Sequence, residues 1–228
     1  MMKKLSVLLS LVLCSIELYA GGGNGGPIGL IYQVDLTPLS NYVQTYDIPQ
    51  FNNEIYIWGG AGTSWLTKSF GIGLTAVGGY QMKFKDKSYG AIYTVLGIST
   101  IENIIFEGHR TQFVLKYGPG FVINRFVLLD GRGAFAERSE FSIESMLFYV
   151  ALSSQLKLSE VLRIELSINY FAVPGSEWTL VSGSAPVPGK TKLDGLGISF
   201  GIKFGGSYIP SSSGVYIPSP SVQETGGF

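Results

Sequence analysis

The chain has 228 residues, with 16 basic and 16 acidic side chains, one histidine and one cysteine. A formal charge of zero provides no basic field to attract nucleic acid. With Cys14 and His109 as the only representatives of their kinds, a disulfide framework, a cysteine-based metal site and most zinc or haem constellations are excluded. Charged residues make up 14%, against ~25% in ordinary soluble domains, and the 31 glycines are about twice the usual share. Few charges, many glycines and many aromatics point to a β-protein with a large non-aqueous surface.

Residues 1–20 read as a cleavable signal peptide. Lys3 and Lys4 form a basic start, Leu5 to Ile16 is apolar apart from three serines, and Leu18-Tyr19-Ala20 leads into Gly21–Gly26. The run is too short to span a bilayer as a helix. A rival reading makes Cys14 a lipidated residue, which the bulky Leu13 before it opposes. Residues 21–27 read as a Gly-rich leader, residues 28–206 as the β-domain, and residues 207–228 as a Ser-, Pro- and Gly-rich tail. That tail repeats Tyr-Ile-Pro-Ser, and with its composition it is read as disordered and partly polyproline II. Its sharper reading is a docking peptide for a cell-envelope partner.

Within the β-domain, Ile28 to Leu36 alternates, with Gln33 and Asp35 on the polar side. A short helix follows: Thr37 is expected as its N-cap, Pro38 takes the first helical position, and Leu39, Tyr42, Val43 and Tyr46 share a face. Pro49 ends it, and the helix is expected to cap one end of the sheet. Next comes the clearest strand. From Gly71 to Lys85 one parity holds Ile72, Leu74, Ala76, Gly78, Tyr80, Met82 and Phe84, while the other holds glycines, Thr75, Gln81 and lysines, with Val77 the exception. That period is two, which no amphipathic helix has. Leu162–Tyr170 and Leu196–Phe204 repeat the pattern. Glu54–Gly62, Tyr89–Thr100 and Ser142–Leu156 are β-rich but apolar on both parities in places. Thr111–Val127 carries Gly118-Pro119-Gly120, either a kink in one strand or a turn between two. Eight strands are predicted, or nine to ten if that segment and Ile104–Phe106 pair separately. Polar breaks such as Lys85–Ser88 and Glu107–Arg110 suit hairpins, hence antiparallel neighbours. Two connections are long, Gly131–Glu140 and Val173–Lys192.

The fold class predicted is therefore all-β, a single antiparallel barrel of about eight strands with one short helix after the first. The alternation fits two solvents. In a soluble barrel or sandwich the apolar parity faces a core; in a transmembrane barrel it faces lipid, and the small, polar parity fills the lumen. Gly71, Gly73, Gly79, Gly197 and Gly201 dominate the polar parity of two strands. Facing water they would weaken those strands without return, whereas inside a narrow barrel they relieve crowding. Arg163 and Glu165 fit either solvent, since opposite charges can pair across a lumen. Tyr80 with Phe84, and Tyr170 with Phe171, lie near strand ends as interface aromatics do. The last alternating segment ends internally at Phe204, not at the terminal Phe228.

Gly21–Gly26, Gly26-Pro27-Ile28-Gly29, Asp35–Asn41, Trp58–Gly62 and Phe70–Gly73 resemble a group of uncharacterised exported bacterial proteins with a helix after the first strand and Gly-rich strands beyond. Overall the pattern is similar to that of small outer-membrane β-barrels. Neither resemblance implies an activity.

One polar cluster has enzyme-like composition, His109 and Thr111 with Glu107, Glu137 and Glu140; its plain reading is a set of turn residues, and its sharper one the His, hydroxyl and carboxylate of a lipid-acting hydrolase. Trp58, Trp65 and Trp178 are read as packing or interface anchors. No catalytic, cofactor or metal residue is assigned, and no cofactor is expected. The reading is a non-enzymatic, outer-membrane-type barrel with a structural or small-solute role and membrane lipid as its partner. The alternative is a secreted or periplasmic barrel or sandwich that binds an apolar ligand or assembles at the surface.

Overall fold

The computed structural model describes residues 22–133, 135–175 and 177–206; the expected signal peptide and the 207–228 tail lie outside them. Among the described residues nine strands are present: β1 (Gly22–Gln33), β2 (Glu54–Trp65), β3 (Phe70–Lys85), β4 (Ser88–Glu107), β5 (Thr111–Asp130), β6 (Glu137–Lys157), β7 (Leu162–Ala172), β8 (Thr179–Ser182) and β9 (Gly195–Gly205). Helix α1 (Thr37–Gln44) follows β1. All pairings are antiparallel, and β1 meets both β2 and β9, which closes an eight-stranded barrel. β8 stands outside that ring and pairs only with the upper part of β6, beyond the point where β7 ends.

The stagger of the ring follows from its register. Gly29 connects through Trp58, Gly78, Val95 and Ile123 to Glu144 on β6. In the other direction it connects through Phe200 and Leu166 to Ser154, ten residues further along the same strand. For eight strands that shear corresponds to a tilt of about 40°. Short turns join β2–β3, β4–β5 and β6–β7 at the end where β1 starts and β9 finishes. Opposite them lie α1, the tight β3–β4 turn, the β5–β6 loop and the long β7–β9 connection.

Two expectations are corrected. Gly22–Pro27 is not a leader but the first half of β1, in register with Ala61–Trp65 and Gly60 of β2. Glycines there allow close strand approach: the Trp58 ring lies where a Cβ on Gly29 would sit, and the Thr63 carbonyl crowds Gly23. Thr37 is not the N-cap. It is the first helical residue, and its N–H donates to Asp35 Oδ1 at 3.1 Å, while Leu36 N–H donates to Asn53 Oδ1 at 3.0 Å. The helix does cap the barrel, burying Leu39, Ser40 and Val43. Gly118-Pro119-Gly120 lies within one long strand, and Pro119, which has no N–H to donate, points outward.

The strands that are apolar on both parities have a simple cause. On the loop side, the inward positions form a hydrophobic core of Leu30, Tyr32, Ile57, Leu96, Val122, Phe126, Phe141, Leu147 and Phe171, sealed by Leu39, Val43, Phe51 and Trp178. Outward positions on the same strands are apolar as well, with Val95, Phe121, Met146 and Phe148 all exposed. Phe171, expected near a lipid interface, is inward and buried against Tyr32 with ring centroids 4.8 Å apart. Arg132 fastens the β5–β6 loop to the helix. It pairs with Asp130 at 2.9 Å, donates to the Thr45 carbonyl at 2.9 Å and sits 4.9 Å over the Tyr46 ring. Hydrogen bonding to Arg132 holds the Asp130 carboxyl below its ordinary range.

On the terminal side the inward parity is small or polar. A Cβ on Gly73 would collide with Glu102 Oε1 and Thr100 Oγ1, so that glycine makes room for a buried carboxylate. Gly73→Val is therefore expected to lower stability in detergent by ~1–3 kcal/mol through overpacking. Ala76→Val on the outer face of the same strand should stay within ~0.5 kcal/mol. Urea midpoints of the two variants provide the comparison.

Candidate functional site

The polar half of the lumen is organised around Glu165 on β7. Its carboxylate accepts from Lys116 Nζ on β5 at 2.7 Å, Lys203 Nζ on β9 at 2.9 Å, Gln155 Nε2 on β6 at 2.7 Å and Ser167 Oγ at 3.4 Å. Lys116 also faces Glu102 of β4 at 3.7 Å, and Lys203 donates to Thr63 of β2 at 3.4 Å. All four charged groups are at most 5% exposed. The strands place them by parity alone: each lies inward because its neighbours Leu115, Ile101, Ile164 and Ile202 point outward.

Below the apolar core a second layer completes the polar filling. Tyr149 OH donates to Asn169 Oδ1 at 2.7 Å, Asn169 Nδ2 donates to Ser199 Oγ at 3.1 Å, and the Ser153 and Ser167 hydroxyls share a 2.7 Å hydrogen bond. Arg163 donates to Gln112 Oε1 at 3.1 Å near the terminal mouth. Inward side chains of the polar network and of the apolar core occupy the lumen along its length, and the ion pairs act as a cross-barrel staple.

The enzyme-like cluster does not assemble. Glu107, His109 and Thr111 share the β4–β5 turn and line a shallow groove at the terminal mouth with Lys157 and Arg163. Glu137 and Glu140 stand at the loop end, where Glu137 is in register with Asp130, whereas Thr111 is in register with Leu156. The length of β5 and β6 separates the two sets. Glu140 is instead engaged by Arg125 at 3.5 Å and Arg138 at 3.6 Å. Among the described residues, no group of three or more His, Cys, Asp or Glu is placed to hold a metal ion. The tryptophans divide: Trp58 is 69% exposed on the outer wall, Trp65 is buried inward, and Trp178 is buried in the cap with its Nε1 donating to Thr191 Oγ1 at 2.9 Å.

Of the staple, Arg163, Glu165 and Lys203 were readable as the polar parity of well-alternating strands. Lys116 and Glu102 were not, because they interrupt segments apolar on both sides. Their signal was positional: Val114-x-Lys116-x-Gly118 and Thr100-x-Glu102 continue an inward parity.

No known family profile matches the chain, and no curated protein matches it in sequence. Solved structures do match its shape. The outer membrane protein OprG from Pseudomonas aeruginosa superposes with a TM-score of 0.56 at 12% identity, covering 82% of this chain and 96% of that one. A major outer membrane protein from Thermus thermophilus gives 0.53 at 8% identity, covering 81% and 99%. Ail of Yersinia pestis gives 0.49 at 10% identity, covering 81% and 98%. The chain has the fold of small outer-membrane barrels; at these identities the likeness concerns fold alone.

Removing the hub of the staple should be costly. Glu165→Gln leaves Lys116 and Lys203 buried without their shared counter-charge and is expected to cost ~3–5 kcal/mol. Combining it with Lys203→Met should recover part of that loss, because fewer buried charges then lack a partner. Chemical unfolding of the three proteins in detergent checks both outcomes.

Proposed function

We propose that the protein is a non-enzymatic outer-membrane β-barrel whose role is structural and that conducts no solute through a standing pore. One observation carries the reading: the outer wall is a continuous apolar belt. Leu74 is 42% exposed, Ile168 64%, Ile198 57% and Phe200 50%. Outward positions on β7 and β9 run Leu162, Ile164, Leu166, Ile168, Tyr170 and Leu196, Ile198, Phe200, Ile202, Phe204, with no charge among them. The outward charges on the strands lie only at the loop end: Glu54, Arg125, Arg138, Glu140 and Glu144.

Eleven residues per strand, tilted about 40°, give a belt of about 25–28 Å, the height of a bilayer's hydrocarbon core. Exposed Phe106, Phe113 and Phe204 border it at the terminal end, and Tyr56, Tyr80 and Tyr93 at the other. A soluble barrel would leave this surface in water, far beyond the few hundred Å² a monomer exposes. Short turns at the terminal end, and the long β1–β2 and β7–β9 connections opposite beside the two-residue β3–β4 turn, fit the convention of periplasmic turns and extracellular loops. The packed lumen supports the non-conducting part.

The full chain should partition with outer membrane, resist salt and carbonate, and shift in gel mobility on heating. Release of native protein by carbonate alone would overturn the membrane reading. Ile168→Arg, mid-strand on the outer face, is expected to cost ~2–4 kcal/mol of folding free energy in vesicles. Planar bilayers carrying the protein should show no stepwise conductance, and regular current steps would remove the non-conducting claim.

A further inference from the structure

The groove at the terminal mouth contains a hydrogen-bonding group that the staple does not use. Its volume is about 60 Å³, and Gln155 and Arg163 stand in its wall, 1% and 4% exposed. Gln155 Nε2 donates to Glu165 at 2.7 Å, and a carboxylate can only accept, so the orientation of the amide is fixed. That leaves Gln155 Oε1 buried, with no hydrogen-bond partner among the described residues. A buried carbonyl without a donor is costly, and this one borders a groove.

Arg163 adds the second demand. Register places it opposite Lys157 and one inward position from Glu165, hence diagonal to Gln155 on the neighbouring strand. It donates to Gln112 Oε1 at 3.1 Å, and a guanidinium carries five N–H donors in one plane. The β4–β5 ladder slips by one residue between Ile104 and Phe106, which brings Glu107 to the inward parity opposite Gln112. Charges around the groove are therefore Arg110, Lys157 and Arg163 against Glu107 and Glu160, with His109 counted as neutral. Lys157 and Glu160 pair at 2.9 Å, and both Glu107 and Glu160 act electrostatically on Arg163. Lys116 and Lys203, deeper in the lumen, are matched by Glu102 and Glu165. One positive charge is left over.

We infer that this groove binds the free carboxyl terminus of a short peptide. The carboxylate meets Arg163, with Arg110 at the rim, and the last peptide N–H donates to Gln155 Oε1. In that group an N–H donor and an anion are separated by a single α-carbon, so one ligand meets two demands made by neighbouring strands. The groove has room for roughly four to six water-sized groups. A carboxylate, its α-carbon and the amide nitrogen fill that space and leave the rest of the peptide outside. A single surplus charge favours a carboxylate over a phosphate dianion, and a planar guanidinium matches it in shape. Only the compartment, the periplasmic side, rests on the membrane reading above; the groove itself does not.

The test uses the isotope-labelled full chain in dodecyl maltoside and follows the Arg163 Nε–H and the Gln155 side-chain amide by NMR. Acetyl-alanyl-alanine should shift both saturably. Converting its carboxylate to an amide should weaken binding at least about tenfold. Acetyl-alanyl-lactate, whose ester lacks the N–H, should bind several-fold more weakly. These arms need no variant. R163Q should abolish binding and R110Q weaken it several-fold, while K190Q at the opposite end behaves as wild type. All-L and all-D forms of the probe separate ordinary polypeptide ends from the D-alanine ends of cell-wall peptides, and saturable binding of either supports the site. Equal binding of acid and amide, or no saturable shift, would overturn the inference. So would displacement of the peptide by inorganic phosphate at matched concentration, which makes the groove a general anion site. The heat-dependent gel shift, measured on the same preparations, reports folding of each variant; if it persists in wild type while no peptide binds, only the peptide site falls.

Discussion

Every backbone N–H and C=O of a sheet surrounded by hydrocarbon must find its partner within the sheet, and the only arrangement without loose edges is a closed one. Here closure is the pairing of β1 with β9, from Asn24 with Gly205 to Tyr32 with Gly197. The rest of the structure follows from it. The ring admits eight strands only at a fixed stagger, the stagger fixes which positions face inward, and the inward positions must then fill a narrow space. Glycine is the residue that space demands where a larger neighbour already occupies it, as Gly73 does for Glu102 and Thr100.

That filling is divided along the barrel axis. Near the termini, ion pairs and hydrogen bonds centred on Glu165 tie β2, β4, β5, β6, β7 and β9 together. Near the loops, an apolar core is closed by α1 and Trp178, much as in a soluble domain. Above β7 the taller strands β4–β6 form a wall. Its concave face holds the cap, and its free edge on β6 is met by β8. The two halves are held by different forces: directional bonds and ion pairs in one, area removed from water in the other.

Alternation made the fold readable wherever an apolar outer face backed a polar lumen, as in β3, β7 and β9. It failed where both faces were apolar, because β4 and β6 pass from the polar half of the lumen into the apolar half while their outer face never changes. The glycine run before Ile28 concealed half of β1, since residues without side chains carry no parity. Only register with Trp65 and its neighbours reveals it as strand. Lys116 and Glu102 belonged to the same blind region. The turn cluster around His109 was composed like a site, yet no sequence pattern states that Glu140 lies a full strand length away.

The doubly apolar stretches have a consequence before the barrel exists. Tyr89–Leu96 and Met146–Leu152 are β-prone, uncharged and free of proline, the composition of segments that associate edge to edge when left unpaired in water. In the finished barrel one face is sealed by the cap and the other is turned outward; in the nascent chain both are bare. A polypeptide built this way cannot linger unfolded in an aqueous compartment without either a holding partner or rapid transfer to a surface where pairing can begin. The same residues that make the loop-side core therefore set the conditions under which the chain must be delivered.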